Sequence, residues 1–394
     1  MSKTVSSKRV LKIALSTWEN ASRDKRELGV VEELGAEVLV LAKGNSTGVI
    51  EQVDGFNVYR MSTRPLGNHV PNMINRIASI FTWSWKTRKL APKVISGHDI
   101  MALLIGYLST IFLSKKRRPK LVYDSHEFEL GRNTKRSKLQ TLVITYLERF
   151  LIKRCEFTIV VNDSIADEVQ KIHKLKKRPV VVRNIPEFWE INIKVCENIR
   201  YELLKKLKKD IKFLLIYHGM LGEGRGIETL LEVIGSTKDT GLIILGNCSD
   251  KRYKENLIGR VQKLHIGDRI VFLNAVPIKE LWKYVGAADL SMVSIVPVVK
   301  SYYFALPNKL FESIQSLTPV IASDLPEIKK IVQSYKIGLL NKPDDVKDII
   351  SCVNTMKEDK TQYKLFKKNL EIAKKELCWE KEKKILFETY KAII

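Results

Sequence analysis

The sequence predicts an α/β protein made of two doubly wound, parallel-sheet domains. Three observations carry that expectation. The chain has 394 residues, and at roughly 100–200 residues per domain that length holds two domains. Short apolar segments alternate with helical patterns along the whole chain, as βαβ units require. The alternation pauses at Pro186–Asp210 and then restarts. The composition agrees: 45% apolar and 28% charged residues supply ample core and exclude a disordered, collagen-like or low-complexity chain.

In the first half, Leu11–Thr17 (LKIALST) reads as a buried strand, Arg23–Leu34 as a helix and Glu37–Ala42 as the next strand. Val49–Val53 and Phe56–Met61 flank Asp54-Gly55, a hairpin signal because both turn residues tolerate positive φ. Helical patterns follow at Met73–Arg88 and Ile100–Leu113. Leu121–Tyr123 and Phe157–Val161 read as strands around a helix at Lys138–Lys153. Ser164–Ile172 reads as a helix opened by a Ser164 cap, with Asp167 as the acidic partner. Val180–Val182 closes the half.

The second half repeats the scheme. Strands are expected at Lys212–Tyr217, Leu242–Leu245, Ile270–Leu273, Leu290–Ile295, Val320–Ala322 and Ile337–Leu340. Helices are expected at Gly226–Ile234, Lys254–Leu264, Lys279–Ala287, Lys309–Ser316, Leu325–Val332 and Val346–Met356. Trp379–Ile393 is a helix attached to no strand. The expected division is therefore residues 1–190, residues 191–376 and a final helix over 377–394. Open α/β sheets bind ligands outside the carboxyl ends of their strands, so a cleft between the two domains is the expected site.

Charge narrows the partners. Sixty-eight basic against 44 acidic residues leave a formal net charge of +24. Such a field attracts anionic lipid, nucleic acid or phosphorylated ligands; a Lys-rich solvated surface accounts for it equally well. Neither a recognition helix nor an RNP-like strand is present, which argues against nucleic acid. The five cysteines form no CxxC pair, which fits a reducing compartment without disulfides or a zinc ribbon. No apolar segment follows the basic Met1–Arg9, so no signal peptide is expected. The longest apolar run, Ile100–Leu113, is too short to span a bilayer. A cytoplasmic protein is expected.

Several segments have residues suited to chemistry. Tyr217-His218-Gly219-Met220-Leu221-Gly222-Glu223-Gly224-Arg225-Gly226 follows a strand and opens a helix. Its glycines admit close backbone approach, the helix start offers free N–H groups and Arg225 adds a cation, which together suit a phosphate. A plain strand–turn–helix corner is the alternative. In Leu306-Pro307-Asn308-Lys309-Leu310-Phe311-Glu312, Lys309 and Glu312 share a helical face. One can meet a phosphate while the other accepts hydrogen bonds from sugar hydroxyls, or the two form a surface ion pair. Asp124-Ser125-His126-Glu127 sits just after a strand, where α/β sites form, and His98-Asp99 is a second pair of this kind. Neither a protease, esterase nor cysteine-nucleophile signature occurs, and no DxD metal motif is present.

Taken together these segments resemble the retaining glycosyltransferases of family 4 (glycosyl transferases group 1), which have the GT-B fold. The resemblance rests on YDSHE at Tyr123–Glu127 and YHGMLGEGRGIETLLE at Tyr217–Glu232. It also rests on IVFLNAVPIKELWKYVGAADLSMV at Ile270–Val293 and ALPNKLFESIQSLTPVIASDLPEI at Ala305–Ile328. It covers nearly the whole chain. It implies two Rossmann-like domains, the second holding a nucleotide-diphosphate sugar, with a UDP-sugar expected. By the same resemblance Arg225 and Lys309 face the diphosphate, and Glu312, the second Glu of the E-x7-E motif, holds the ribose. Gly219, Gly222 and Asn308 line that donor site, and Gly246 and Asn274–Val276 meet the base. The first domain takes the acceptor, with His126, or else His98, near the reacting sugar. Trp379-Glu380 opens the family's final helix, which crosses back to the first domain. Members need neither a metal nor a further cofactor. Two positions depart from the pattern. Phe304 stands where the first motif Glu belongs, and Met220 stands where the loop's Arg belongs.

Asn72–Lys93 mixes Phe81, Trp83 and Trp85 with Arg76, Lys86, Arg88 and Lys89, while Lys115–Lys120 and Lys174–Arg178 add further charge. Aromatic and basic residues in one segment suit an anionic membrane surface; tryptophans packed on the sheet are the alternative. The membrane reading implies a lipid-linked or glycan acceptor in cell-surface polysaccharide or glycolipid assembly at the inner membrane face. Two other functions fit the same motifs: a non-catalytic partner subunit and a nucleotide-sugar epimerase.

Overall fold

The computed structural model describes residues 8–45, 48–125, 128–131, 136–207 and 210–394. The chain forms two compact units. The first comprises Met1–Arg183 together with Glu382–Ile394, and the second comprises Asn184–Lys381.

The first unit is built on eight strands: β1 (Arg9–Ala14), β2 (Glu37–Lys43), β3 (Ile50–Val53), β4 (Phe56–Met61), β5 (Val94–Gly97), β6 (Lys120–Asp124), β7 (Phe157–Val160) and β8 (Val180–Val181). Their order is β3-β4-β2-β1-β5-β6-β7-β8. All neighbours are parallel except the β3–β4 hairpin. The expected Asp54-Gly55 turn joins that hairpin, with φ of 51° and 86°. β1 runs between β2 and β5, Ile13 pairing with Leu41 on one side and Gly97 on the other. The strand order reverses there, which is where doubly wound sheets hold ligands.

Helices α1 (Ser22–Glu33), α2 (Asn72–Lys89), α3 (Ile100–Thr110), α4 (Lys138–Ile152) and α5 (Asp163–His173) connect these strands. Three of them form one layer: the Ser84 hydroxyl of α2 donates to the Ile105 carbonyl of α3 at 3.1 Å, and Tyr107 of α3 meets Phe150 of α4 edge-on at 5.3 Å. Asn162, not Ser164, caps α5; its side chain accepts from the Ile165 N–H at 2.9 Å. An Asn at the end of β7 caps as well as a Ser does, and it starts the helix one residue early. β5 was not expected. It is four residues long and ends in Ser-Gly, too short for a periodic signal.

The second unit opens with α6 (Ile193–Lys206). Its strands are β9 (Phe213–His218), β10 (Thr240–Leu245), β11 (Ile270–Leu273), β12 (Leu290–Val293), β13 (Val320–Ser323) and β14 (Gly338–Asn341). The order is β11-β10-β9-β12-β13-β14, all parallel. β9, the first strand in sequence, is central, with β10 and β12 on its flanks; this is a second switch point. The helices are α7 (Ile227–Ser236), α8 (Lys251–Lys263), α9 (Ile278–Val285), α10 (Lys300–Tyr303), α11 (Asn308–Gln315), α12 (Pro326–Tyr335), α13 (Val346–Glu358) and α14 (Lys360–Glu376). Strands β9 and β10 are buried along their full length, as both faces of a parallel sheet carry helices.

The last helix, α15 (Trp379–Lys391), begins in the second unit and ends in the first. In the second unit the Trp379 N–H donates to the Pro186 carbonyl at 2.9 Å. In the first, Glu382 accepts from the backbone N–H and Nε of Arg183, each at 2.8 Å. Tyr390 donates to Glu27 at 3.1 Å, and Lys120 donates to the Ile393 carbonyl at 3.1 Å. No helix among the described residues is long and apolar enough to cross a membrane.

Candidate functional site

The second unit gathers most of the expected residues at the carboxyl ends of β9, β10 and β11. Gly219 follows β9 with φ of 115°, a conformation that L side chains rarely adopt. Gly246 follows β10, and its own α-carbon lies so near Gly219 that a Cβ there would sit 1.9 Å from the Gly219 carbonyl oxygen. Backbone bonds fix this edge: Gly219 donates to Leu245 at 3.0 Å and Gly246 to Leu273 at 2.9 Å. Asn274 and Val276 follow β11, and the neighbouring Ala275 N–H donates to the Asn247 side chain at 3.1 Å. Asn274 is exposed and Val276 half-buried.

Lys309 is the most unusual group at this edge. It lies in the first turn of α11 and is 6% exposed. Its ammonium makes no hydrogen bond; it lies over the Tyr217 ring, 3.6 Å from the centroid. Tyr217 is itself held by donating to the Met220 carbonyl at 2.9 Å. Burial, reinforced by the nearby Arg225 charge, holds the Lys309 ammonium well below the ordinary lysine value. Arg225 is half-buried and stacks over Tyr302 at 5.0 Å. Two neighbouring cationic side chains, one lacking any hydrogen-bond partner, have the chemistry that suits an anion with several acceptor oxygens.

Glu312 stands one helical turn beyond Lys309. Its carboxylate is 3.1 Å from Nε2 of His218, the last residue of β9, which is fully buried. The sequence reading overlooked His218; its one signal was a histidine ending an otherwise apolar strand. Gly222 lies between β9 and α7 and is half-buried, while Asn308 opens α11 and is exposed. Phe304 is half-buried beside Tyr303 at 5.3 Å, and Met220 is largely exposed.

The first unit holds a separate charged cluster at its own switch point. Lys12 of β1 is fully buried and its Nζ lies 3.0 Å from Asp24, 3.0 Å from Glu27 and 2.8 Å from Asp124. Burial pulls the Lys12 value down, but Asp124, Asp24 and Glu27 together raise it well above the ordinary value. Burial and then the Asp124 charge push Glu27 up to about 7. His98 follows β5 and its Nδ1 lies 3.1 Å from Asp24. Asp24, His98 and Asp124 are the one set of potential metal ligands among the described residues, and Lys12 is already seated between the two aspartates as their cation. His126 lies outside the described residues.

The chain thus consists of two doubly wound units, with Arg225 and Lys309 near a glycine-lined edge of the second. A family profile described as "Glycosyl transferases group 1" matches residues 200–373, and one described as "Glycosyltransferase Family 4" matches residues 30–185. The chain belongs to this family of glycosyltransferases, whose fold is GT-B and whose donors are nucleotide sugars. Among solved structures it is similar to sucrose-phosphate synthase from Thermosynechococcus elongatus, at 18% identity over 98% of both chains and a TM-score of 0.77. It is also similar to HepE of Anabaena in complex with UDP and glucose, at 15% identity over 98% of this chain and 100% of that one, with a TM-score of 0.73. WaaG, a glycosyltransferase of lipopolysaccharide biosynthesis, matches at 17% identity over 96% and 98%, with a TM-score of 0.66. These likenesses are of fold. No curated protein matches the chain.

Proposed function

We propose that the chain transfers a sugar from a UDP-sugar to a lipid-linked or glycan acceptor, with retention of anomeric configuration and without a metal ion. The observation that carries the donor part is the buried Lys309 ammonium, which has no hydrogen-bond partner and lies beside Arg225. In the transfer the anomeric carbon–oxygen bond to the diphosphate breaks, and the acceptor hydroxyl oxygen bonds that carbon. The hydroxyl proton leaves with the diphosphate. Negative charge gathers on the departing group, and cations fixed beforehand stabilise charge that develops there. Arg225 and Lys309 take that role, with Glu312 on the ribose and Gly246, Asn274 and Val276 at the base. HepE was solved with UDP and glucose, which supports UDP as the nucleotide. The first unit takes the acceptor, with His126, or else His98, near the reacting sugar. The aromatic and basic residues of Asn72–Lys93, with the basic runs, support a location at the inner membrane face, in polysaccharide or glycolipid assembly.

The test is release of nucleoside diphosphate from a panel of UDP- and GDP-sugars, with and without a membrane-lipid extract. Extract-dependent release from one donor, lost in Glu312→Ala, is the expected result. Release that needs no acceptor, with an isomerised sugar as product, would instead establish an epimerase. A second reading, a non-catalytic partner subunit, draws on Phe304 and Met220 at positions where the family pattern has a Glu and an Arg. Absence of both turnover and UDP binding would favour it.

A further inference from the structure

The outer surface of the α2–α3–α4 layer is apolar where a helix normally meets water. On α4, Leu139, Leu142, Val143 and Tyr146 are all more than half exposed, and their spacing of three and four residues puts them on one face. Phe112, just past α3, is 81% exposed. On α2, Trp83 is buried and donates to the Ser62 carbonyl at 2.9 Å, but Phe81 and Trp85 point outward, 65% and 59% exposed. Exposed apolar residues scattered singly need no explanation; a contiguous set across three packed helices does.

Charge decides what covers it. Between residues 55 and 123 the sequence has twelve basic residues and a single acidic one, Asp99, and Asp99 is occupied capping α3. The only acid on α4, Glu148, is buried against Tyr123 and His173. The cations stand over the exposed rings: Lys89 over Trp85, Arg88 over Phe112, Arg149 over Tyr146 and Arg154 over Phe150. A second copy would set this basic rim against an identical rim, because a two-fold contact apposes the same patch. An anionic bilayer meets both features at once: apolar side chains enter the acyl boundary while the cations above them neutralise headgroups.

We infer that the outer face of α2, α3 and α4 is a docking surface for an anionic lipid bilayer, with α4 contributing as much of the inserted surface as α2. This extends the membrane contact from one basic segment to a three-helix face. Its purpose rests on the lipid-linked-acceptor reading, but its existence does not. The test mixes the full chain with vesicles of equal parts phosphatidylglycerol and phosphatidylcholine, or of phosphatidylcholine alone, and measures co-sedimentation. The chain is expected to bind the anionic vesicles and to bind the zwitterionic ones weakly. The triple variant L139S/V143S/Y146S removes apolar surface from α4 alone and changes no charge. Its partition is expected to fall at least about tenfold, since three apolar side chains no longer leave water on docking, while circular dichroism and UDP binding stay unchanged. Brominated acyl chains should quench fluorescence in the wild type and less in Trp85→Phe.

Unchanged binding by the triple variant would overturn the role of α4. Absence of vesicle binding by the wild type, with a dimer that the triple variant dissolves, would overturn the bilayer in favour of a second copy. Vesicle binding without sugar transfer would sink the transferase reading and leave the docking surface standing.

Discussion

Lys309 shows what a single side chain can reveal. Its spacing from Glu312 was legible in the sequence, but the spacing alone fits an exposed ion pair equally well. Burial decides between the two, and burial depends on Tyr217 and Gly219, which lie some ninety residues earlier in the chain. An ammonium without a hydrogen-bond partner carries a desolvation cost that the Tyr217 ring and Glu312 offset in part and that an incoming anion would offset further. Lys309→Met, which keeps the volume and removes the charge, should leave the melting temperature equal or higher. It should weaken UDP binding about ten- to a hundredfold, the worth of one or two charge-assisted hydrogen bonds; isothermal calorimetry measures both the loss and its sign. The depressed Lys309 value adds a pH dependence. Diphosphate raises it again, so between the free and bound values binding takes up a proton and affinity falls as pH climbs. Calorimetry in buffers of differing ionisation enthalpy should show that uptake in the wild type and not in the variant. His218, by contrast, was beyond sequence reasoning, because its meeting with Glu312 depends on how α11 packs against the end of β9.

At the scale of elements, central strands were legible and peripheral pieces were not. KFLLIY and EVLVLA announce buried strands through unbroken apolar runs. β5 offers only four residues. α14 is so rich in lysine that its apolar stripe, Phe366, Leu370 and Ala373, is hard to read; packing on α11, α12 and α13 rather than propensity makes it a helix. The opposite holds for α4, whose apolar period is plain. Periodicity identifies a helix face but cannot say whether protein, lipid or water lies against it. The edge where β9 and β10 end shows how tightly two elements can be fitted. Gly246→Ala places a Cβ 1.9 Å from the Gly219 carbonyl, and neither atom belongs to a flexible side chain. The strand ends must part, so a destabilisation of about 1–3 kcal/mol or more is expected, by analogy with other overpacked sites. UDP binding should be lost with it. A thermal melt and a UDP titration on the same sample check both, and a variant that melts and binds like the wild type would show that the loop yields freely.

For the whole molecule, the decisive feature is that the chain returns to where it began. Two domains were legible from the restart of the alternation, but the partners of the last helix were not. Leu11–Thr17 reads as a buried strand, but nothing in the sequence singled out Lys12 or said that Asp24, Glu27 and Asp124 gather round it and that Tyr390 closes the ring. The closure has an energetic consequence. Leu386 and Tyr390 are fully buried, and Tyr390 donates to Glu27, whose carboxyl is raised from 4.5 to about 7. Because the folded value exceeds the unfolded one, the native state holds more protons between them. Stability should therefore fall as pH rises from about 4.5 to about 7, and Glu27→Gln should flatten that slope in urea titrations across the range. Removing Glu382–Ile394 tests the same contacts more severely. Two large buried side chains at roughly 1.5–3 kcal/mol each, with a buried carboxyl left short of a donor at about 1–3 kcal/mol, put the loss near 4–9 kcal/mol. That is comparable with the entire stability of a domain. The second unit keeps its own sheet and its own core of residues between Ile185 and Leu377, so the loss should be confined to the first. Calorimetry of the truncated chain should show the first unit's transition lowered or abolished. The second unit's transition should persist and still rise with added UDP. A truncated chain that melts in one transition with the wild type's midpoint would mean that α15 is an appendage, and that the charged cluster around Lys12 holds itself together.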